Sequence, residues 1–232
     1  MMATVLITGS SRGFGYELAR QFAEAGDRVF ATCRNPETAV KLNAVAAASA
    51  GRLTVHRMDI GDMASVQACA AEIGDTPIDI LINNAGVWGG LATQVFENMD
   101  YDNWAYEVNV IMMGPFRVLQ TFMKNVLASD QRKIVTITSQ VSAHSYQKII
   151  GYAYASAKAG LNRLITALAR EMAGREVIMV LLHPGWIRTE MAGPVADIDP
   201  PEAAAVNIPL IKRLTMADSG RFLKWTGEDH AW

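Results

Sequence analysis

Short apolar runs rich in β-branched residues alternate with longer amphipathic stretches along this chain, and that alternation restricts the fold more than any other feature. The runs are "TVLIT" (4–8), "RVFATC" (28–33), "LTVHRM" (53–58), "IDILIN" (78–83), "KIVTIT" (133–138) and "VIMVLL" (177–182). They are apolar nearly throughout, the pattern of parallel strands covered on both faces. Helix-length stretches fall between them, near 13–25, 37–49, 62–73, 103–127 and 152–173. In the first of these Leu18, Phe22 and Ala25 recur at helical spacing and Gly26 closes the run. Strict strand–helix alternation implies right-handed crossovers, so the sequence predicts an α/β fold built on a doubly wound parallel sheet with helices on both faces.

No linker divides the 232 residues, which predicts a single domain over 1–232. After "HPG" (183–185) prolines become more frequent, and a loop, a helix near 201–214 and a late edge strand around 221–225 are expected. The formal net charge of −2, with both signs interspersed, argues against a polyanion-binding surface and so against nucleic acid as a partner. Cys33 and Cys69 cannot build a disulfide framework, and no targeting segment is legible ahead of "ATVLIT". No apolar run reaches the ~18 residues that a membrane span needs. A soluble, cytoplasmic protein with no membrane partner is expected.

The first strand runs directly into "TGSSRGFG" (8–15), which opens the first helix. Glycines at 9, 13 and 15 suit a phosphate-binding turn: Gly9 for the turn, Gly13 for backbone approach to a pyrophosphate, Gly15 for close helix packing. Free N–H groups at the helix end would receive the phosphates. The same glycines also suit a tight turn with no ligand. "GSSRG" additionally matches the nucleophile elbow of serine hydrolases, with Ser11 as nucleophile and His183 or His230 as base, but too few residues precede it to supply the oxyanion-hole loop. Binders of NAD place an acid at the end of the second strand; this chain has Arg34 there, in "ATCRNP", and Arg12 in the glycine loop. Two guanidinium groups at one corner suit a 2′-phosphate, so NADP(H) is expected, with NAD(H) as the alternative. A lone arginine after a strand also serves as ordinary solvated surface. Asp59, ending the third strand, suits the adenine amino group or the cap of the next turn.

In "GYAYASAK" (151–158), a helix turning about 100° per residue puts Tyr154 and Lys158 on one face and points Tyr152 away. "NNAG" (83–86) follows the fourth strand, Ser139 follows the fifth, and "HPGWIRTEM" (183–191) follows the sixth. These motifs, in this order on this strand–helix pattern, resemble the short-chain dehydrogenase/reductase family over almost the whole chain. A closer likeness is to a subgroup holding the developmental C-signal proteins and small carbonyl reductases, and the ending "GRFLKWTGEDHAW" also resembles theirs.

The resemblance implies a Rossmann domain with a nicotinamide cofactor and hydride transfer between it and a small carbonyl or alcohol substrate. It implies that Tyr154 is the general acid–base and that Lys158 lowers the phenol and holds the nicotinamide ribose. Ser139 would hydrogen-bond the substrate oxygen. Asn109 in "YEVNVIMMGPF" would, through its helix backbone, hold a water beside the lysine. Ser139 stands two residues farther from Tyr154 than the family spacing of thirteen, and Ser142 one residue nearer; Ser139 is preferred because it directly follows the strand. The extra length falls in "SAHSYQKII". The implied cofactor contacts are Gly9, Ser11, Arg12, Gly13, Phe14 and Gly15 in the first loop; Arg34, Asp59 and Ile60 after the second and third strands; Asn83, Ala85 and Gly86 after the fourth; Tyr154 and Lys158; and Pro184, Gly185, Ile187 and Thr189 after the sixth. A short substrate lid is expected at about 190–214, and Trp88, His144, Tyr146 and Trp186 as pocket walls. The family also implies a homodimer or homotetramer through the two long helices. His56, His144, His183 and His230 show no paired ligand spacing, so no metal is expected. A protein that binds NADP without turnover, as a sensor or a C-signal-like signalling protein, is the alternative function.

Overall fold

A computed structural model describes residues 2–148 and 150–232; Ile149, within the expected extra loop, lies outside them. In chain order the strands are β1 (Thr4–Ile7), β2 (Arg28–Cys33), β3 (Leu53–Arg57), β4 (Ile80–Asn83), β5 (Gln94–Val95), β6 (Asn98–Met99), β7 (Lys133–Ile137), β8 (Ile178–His183) and β9 (Phe222–Lys224). The helices are α1 (Gly13–Glu24), α2 (Val40–Ala48), α3 (Met63–Ile73), α4 (Tyr101–Glu107), α5 (Gly114–Leu127), α6 (Tyr152–Met172) and α7 (Pro200–Arg213). Seven strands form one sheet in the order β3-β2-β1-β4-β7-β8-β9, and every pairing in it is parallel. The expected doubly wound Rossmann sheet is therefore present.

Alternation along the strands divides the core in two. Val5 and Ile7 of β1 face one side, where Leu18 and Phe22 of α1, Leu42 of α2 and Ile208 and Ile211 of α7 close over them. Leu6 faces the other side with Val66 of α3, Phe122 of α5 and Leu161 and Ile165 of α6. Fully burying a side chain of this size contributes about 1.5–3 kcal/mol, which is why strands buried on both faces need apolar residues at every position. Ala25 departs from the expected helical stripe: it caps α1 and is exposed, and Ala19 and Ala23 pack instead.

The expected helix over 103–127 is interrupted. Asp100 starts it by accepting the Asn103 N–H at 3.0 Å, and residues Val108–Met113 then widen into a π turn before α5 begins. Pro115 has no N–H for the carbonyl one turn back, and opening the turn accommodates that loss. The widened turn brings Met112 against α6, where a Cβ on Gly160 would stand 2.6 Å from its sulfur. The expected lid also shortens. Residues 200–213 form α7, whose Ala203, Ala204, Ile208 and Ile211 are buried against α1, so that part belongs to the helix layer and only residues 190–199 of the expected lid lie ahead of it. Among the described residues no helix is long and apolar enough to cross a membrane.

Candidate active site

The chain order reverses between β1 and β4, and the crevice outside the carboxyl ends of these strands gathers the residues singled out by sequence. After β1, the Thr8 hydroxyl accepts the N–H groups of Asn84 and Ala85, both at 3.0 Å. Asn84 Nδ2 returns to the Thr8 carbonyl at 2.9 Å and the Gly9 carbonyl at 3.1 Å. This lacing locks the glycine loop to "NNAG". It leaves no room at Gly15, where a Cβ would stand 2.3 Å from both the Gly9 oxygen and Asn84 Nδ2. Gly15 therefore serves loop-to-loop approach rather than helix-on-strand packing. We expect Gly15→Ala to lower stability by about 1–3 kcal/mol through this overpacking, read by urea denaturation; an unchanged midpoint would show that the lacing yields freely.

Gly9 turns at φ +71°, and Gly13, at φ +58°, faces Thr189 of the loop after β8, whose Cγ2 lies 3.3 Å from the place of a Cβ. Arg12 caps α1 without a side-chain hydrogen bond, and the first turn of α1 holds no acid. Among the described residues the amino-terminal N–H groups thus lack side-chain acceptors between two approaching loops, an arrangement that fits a pyrophosphate. Ser11 is exposed beside it and Phe14 buried behind it. Neither His183 nor His230 hydrogen-bonds Ser11 among the described residues; His183 is buried edge-on to Trp225 and His230, at 5.4 and 5.7 Å between ring centroids. The serine-hydrolase arrangement is not assembled.

The two arginines do not meet as expected. Arg12 Nη1 lies 2.7 Å from the Glu190 carboxylate, with both side chains largely exposed, and Arg34 donates to the Tyr106 hydroxyl at 3.0 Å. Exposed pairs of this kind contribute about 0–1 kcal/mol, so either guanidinium is readily recruited by an arriving anion. Asp59 Oδ1 accepts the Gly61 N–H at 2.8 Å, which gives it a turn-supporting role, and Ile60 is buried behind it. Asn83 is buried at the end of β4, and neither of its side-chain polar atoms has a partner among the described residues. Ala85 and Gly86 lie along the same rim, where a Cβ on Gly86 would stand 4.0 Å from Lys158 Nζ. After β8, the Pro184 carbonyl accepts from Asn207 Nδ2 at 3.1 Å, Gly185 turns at φ +100°, and buried Ile187 bridges to Ile198.

On α6, Tyr154 and Lys158 share a face, with the ammonium 5.9 Å from the phenol ring centroid. Lys158 is 4 % exposed and donates to the Ile137 carbonyl at 2.9 Å. Burial lowers its pKa to about 8. The Tyr154 phenol is pushed up to about 12, first by burial and then by the Glu107 charge, against a smaller pull downward from the Ser139 hydroxyl. The lysine is in place, but the net shift of the phenol is upward, opposite to the activation expected of the pair. Trp88 meets the Tyr154 ring edge-on at 5.3 Å. Tyr146 is partly exposed, and Trp186 and His144 are exposed, on the neighbouring loops.

Ser139 and Ser142 are clearly distinguished. Buried Ser142 donates to the Ser139 carbonyl at 2.5 Å and accepts from Asn162 Nδ2 at 2.7 Å, so its hydroxyl is committed. Ser139 is partly exposed just after β7; among the described residues its hydroxyl accepts the Val141 N–H at 3.4 Å and faces the Tyr154 phenol, which leaves it able to take a ligand beside that phenol. Asn109, in the π turn, behaves differently from the expectation. Its carbonyl accepts from the Gly114 N–H and from Arg117 Nη1 at 3.2 Å, which occupies both lone pairs that a water would use. Its side chain clamps Gly61 and Arg117. The sequence reading missed Asn84, Gln94, Glu107 and Arg117. An acid inside the apolar run "WAYEV" (104–108) just ahead of Asn109 was the available signal for Glu107.

The sequence pattern of the short chain dehydrogenase family matches residues 3–199. The C-signal protein of Myxococcus xanthus is 30% identical over 171 residues, which cover 72% of this chain and 100% of that protein. The 3-oxoacyl-acyl-carrier-protein reductase of Escherichia coli strain K12 is 30% identical over 194 residues, 83% of this chain and 76% of that one. The crystal structure of an NADPH-bound carbonyl reductase from chicken fatty liver superposes with a TM-score of 0.90 at 26% identity, covering 100% of this chain and 99% of the other.

Proposed function

This chain belongs to the short-chain dehydrogenase family, and from that premise we propose that it is an NADPH-dependent carbonyl reductase acting on a small aldehyde or ketone and, in reverse, on the alcohol. The observation that carries the reading is Tyr154 beside Lys158 on one face of α6, with the Ser139 hydroxyl after β7 facing the same phenol. The nicotinamide, when bound, supplies or accepts the hydride. Tyr154, which stays protonated at neutral pH, gives its phenolic proton to the substrate oxygen. Ser139 donates a hydrogen bond to that oxygen as negative charge grows on it. Lys158, charged below about pH 8, faces the phenol and holds the ribose. Asn109 acts by position, tying the π turn to the loop after β3.

NADP(H) is favoured over NAD(H) by Arg34 where an acid would hold a 2′-hydroxyl, by the lightly held Arg12, and by the NADPH found in the chicken enzyme. Gly9, Gly13, Gly15 and Thr189 receive the pyrophosphate, and Asn83, Ala85 and Gly86 line the path to the nicotinamide. Pairing of copies through α5 and α6 belongs to the same reading, supported by the exposed side chains of Met113, in the turn just before α5, and Tyr152, at the start of α6.

The test is consumption of NADPH and NADH by the purified protein over a panel of aldehydes, ketones and diketones. We expect turnover with NADPH and a kcat/KM at least about tenfold lower with NADH, with Arg34→Leu closing most of that gap. Equal use of both cofactors would overturn the NADP assignment. NADPH binding without turnover on any carbonyl would instead favour a sensor or signalling protein, the reading that the likeness to C-signal supports.

A further inference from the structure

The amino end of α6 is held in an unusual way. Gly151 caps it and offers no side chain, so the first N–H groups of the helix need partners from elsewhere. Tyr154 is the third helical residue, and its N–H donates to Gln94 Oε1 at 3.0 Å. Gln94 is 1 % exposed on the short hairpin β5–β6, and its Nε2 donates to Glu107 Oε1 at 2.7 Å. A backbone N–H only donates, so the amide oxygen must face Tyr154 and the amide nitrogen must face Glu107. Glu107 is fully buried; the same oxygen also accepts the Gly89 N–H at 2.6 Å and Asn103 Nδ2 at 3.4 Å, while Oε2 has no partner among the described residues. Gly151 itself fits the arrangement: a Cβ there would stand 2.5 Å from the Trp88 ring and 2.7 Å from Gln94 Oε1.

We propose that Gln94 and Glu107 are positioning residues for Tyr154: the buried Glu107 carboxylate fixes the Gln94 carboxamide, and Gln94 fixes the backbone from which the phenol projects. The proposal rests on Tyr154 being the acid–base group. Glu107 ties together the loop after β4, the hairpin and α4, three segments with little core of their own, and transmits their placement to the start of α6. Burial raises the Glu107 pKa above the ordinary carboxylate value, against the pull of its hydrogen bonds from Gly89, Asn103 and Gln94, and in its ionised form Glu107 also carries negative charge toward the phenol. The groups facing Tyr154 are Lys158 from its own helix, Glu107 from α4, Ser139 from the loop after β7, Gln94 from β5 and Trp88 from the loop after β4.

Two kinds of variant separate geometry from charge. Gln94→Leu removes the anchor and keeps the charge. Glu107→Gln keeps an acceptor for Gly89 and Gln94 and removes the charge. In Gln94→Leu we expect exchange of the Tyr154 amide, followed by NMR, to speed at least about tenfold. Its kcat should fall about tenfold with KM for NADPH within about twofold, the size of one lost hydrogen bond. In Glu107→Gln we expect the amide to stay protected. The acid limb of alcohol oxidation, measured with NADP⁺ and the alcohol of the best carbonyl in the panel, should move to lower pH, because removing a negative charge lowers the phenol pKa. Wild-type exchange and kcat in Gln94→Leu overturn the proposal, as does an unmoved pH limb in Glu107→Gln. Should the wild-type protein show no turnover at all, the acid–base reading fails on its own account. The exchange rates of Gln94→Leu and Glu107→Leu then still decide the anchor: faster exchange in both supports it, and unchanged exchange overturns it.

Discussion

Tyr154→Phe is expected to lower kcat for carbonyl reduction by about three orders of magnitude, within the range contributed by a positioned acid–base group. The substitution removes one oxygen and leaves the ring, so the edge-on contact with Trp88 at 5.3 Å and the burial among α6 neighbours persist. The lost hydroxyl has Ser139 as its neighbour, so the fold should change by no more than about 1 kcal/mol, the net worth of one hydrogen bond. Binding of NADPH, followed by its fluorescence, should be retained within about twofold. The pH dependence is fixed in sign. Reduction needs the phenol protonated, and a pKa held up near 12 by burial and by Glu107 keeps it so across the neutral range. Oxidation needs the phenolate, so its rate should climb with pH where reduction is flat. A mutant that still reduces carbonyls at wild-type rates would remove Tyr154 from the chemistry and leave Ser139 as the candidate proton donor.

How much of this was legible in the sequence depends on what fixed each residue. β2 coincides with its apolar run, Arg28–Cys33, because a strand buried on both faces admits apolar residues throughout. β4 starts at Ile80 and not at 78, because Asp79 turns its carboxylate to the Thr4 N–H at 2.7 Å and to the Ser129 hydroxyl at 2.5 Å, acting as a strand-end clamp. The second helix starts at Val40 and not at 37 because Pro36 first opens a 3₁₀ turn. Tyr154 and Lys158 were legible because helical spacing alone sets their shared face. Ser139 was preferred over Ser142 from its place directly after the strand, and what the sequence hid was the reason Ser142 is committed: its bond from Asn162, which no local pattern announces. Gln94 and Glu107 were hidden for the same reason: the hairpin carrying Gln94 is two residues a side, too short for any periodicity to register. Tertiary hydrogen bonds decided what spacing could not.

Lys158→Met carries the second large effect, and it appears in two measurements at once. Turnover should fall by about two to three orders of magnitude, since the positive charge facing the phenol is lost. Stability should respond through a different route. Lys158 is 4 % exposed, donates to the Ile137 carbonyl, and has no carboxylate within ion-pair distance among the described residues. Its pKa falls from the ordinary lysine value of 10.5 to about 8 in the folded protein, which is a penalty of about 3 kcal/mol on the charged form. Because the folded value lies below the unfolded one, the unfolded chain binds more protons between about pH 8 and 10.5. The penalty is therefore complete below pH 8, and it is relieved as pH rises through that window. Methionine keeps the length of the stem and removes the charge, while leaving the Ile137 carbonyl without its donor at a cost of about 1–3 kcal/mol. These two effects nearly cancel at pH 7, so the mutant should unfold there close to wild type or slightly above it. Near pH 10 the wild-type protein should have gained about 2–3 kcal/mol on the mutant, read as the difference in urea midpoints at the two pH values. All other titrating groups are common to both proteins and drop out of that comparison. A difference that stays constant with pH would mean that Lys158 is not held as a buried charge, and the argument that its ammonium acts on Tyr154 at neutral pH would go with it.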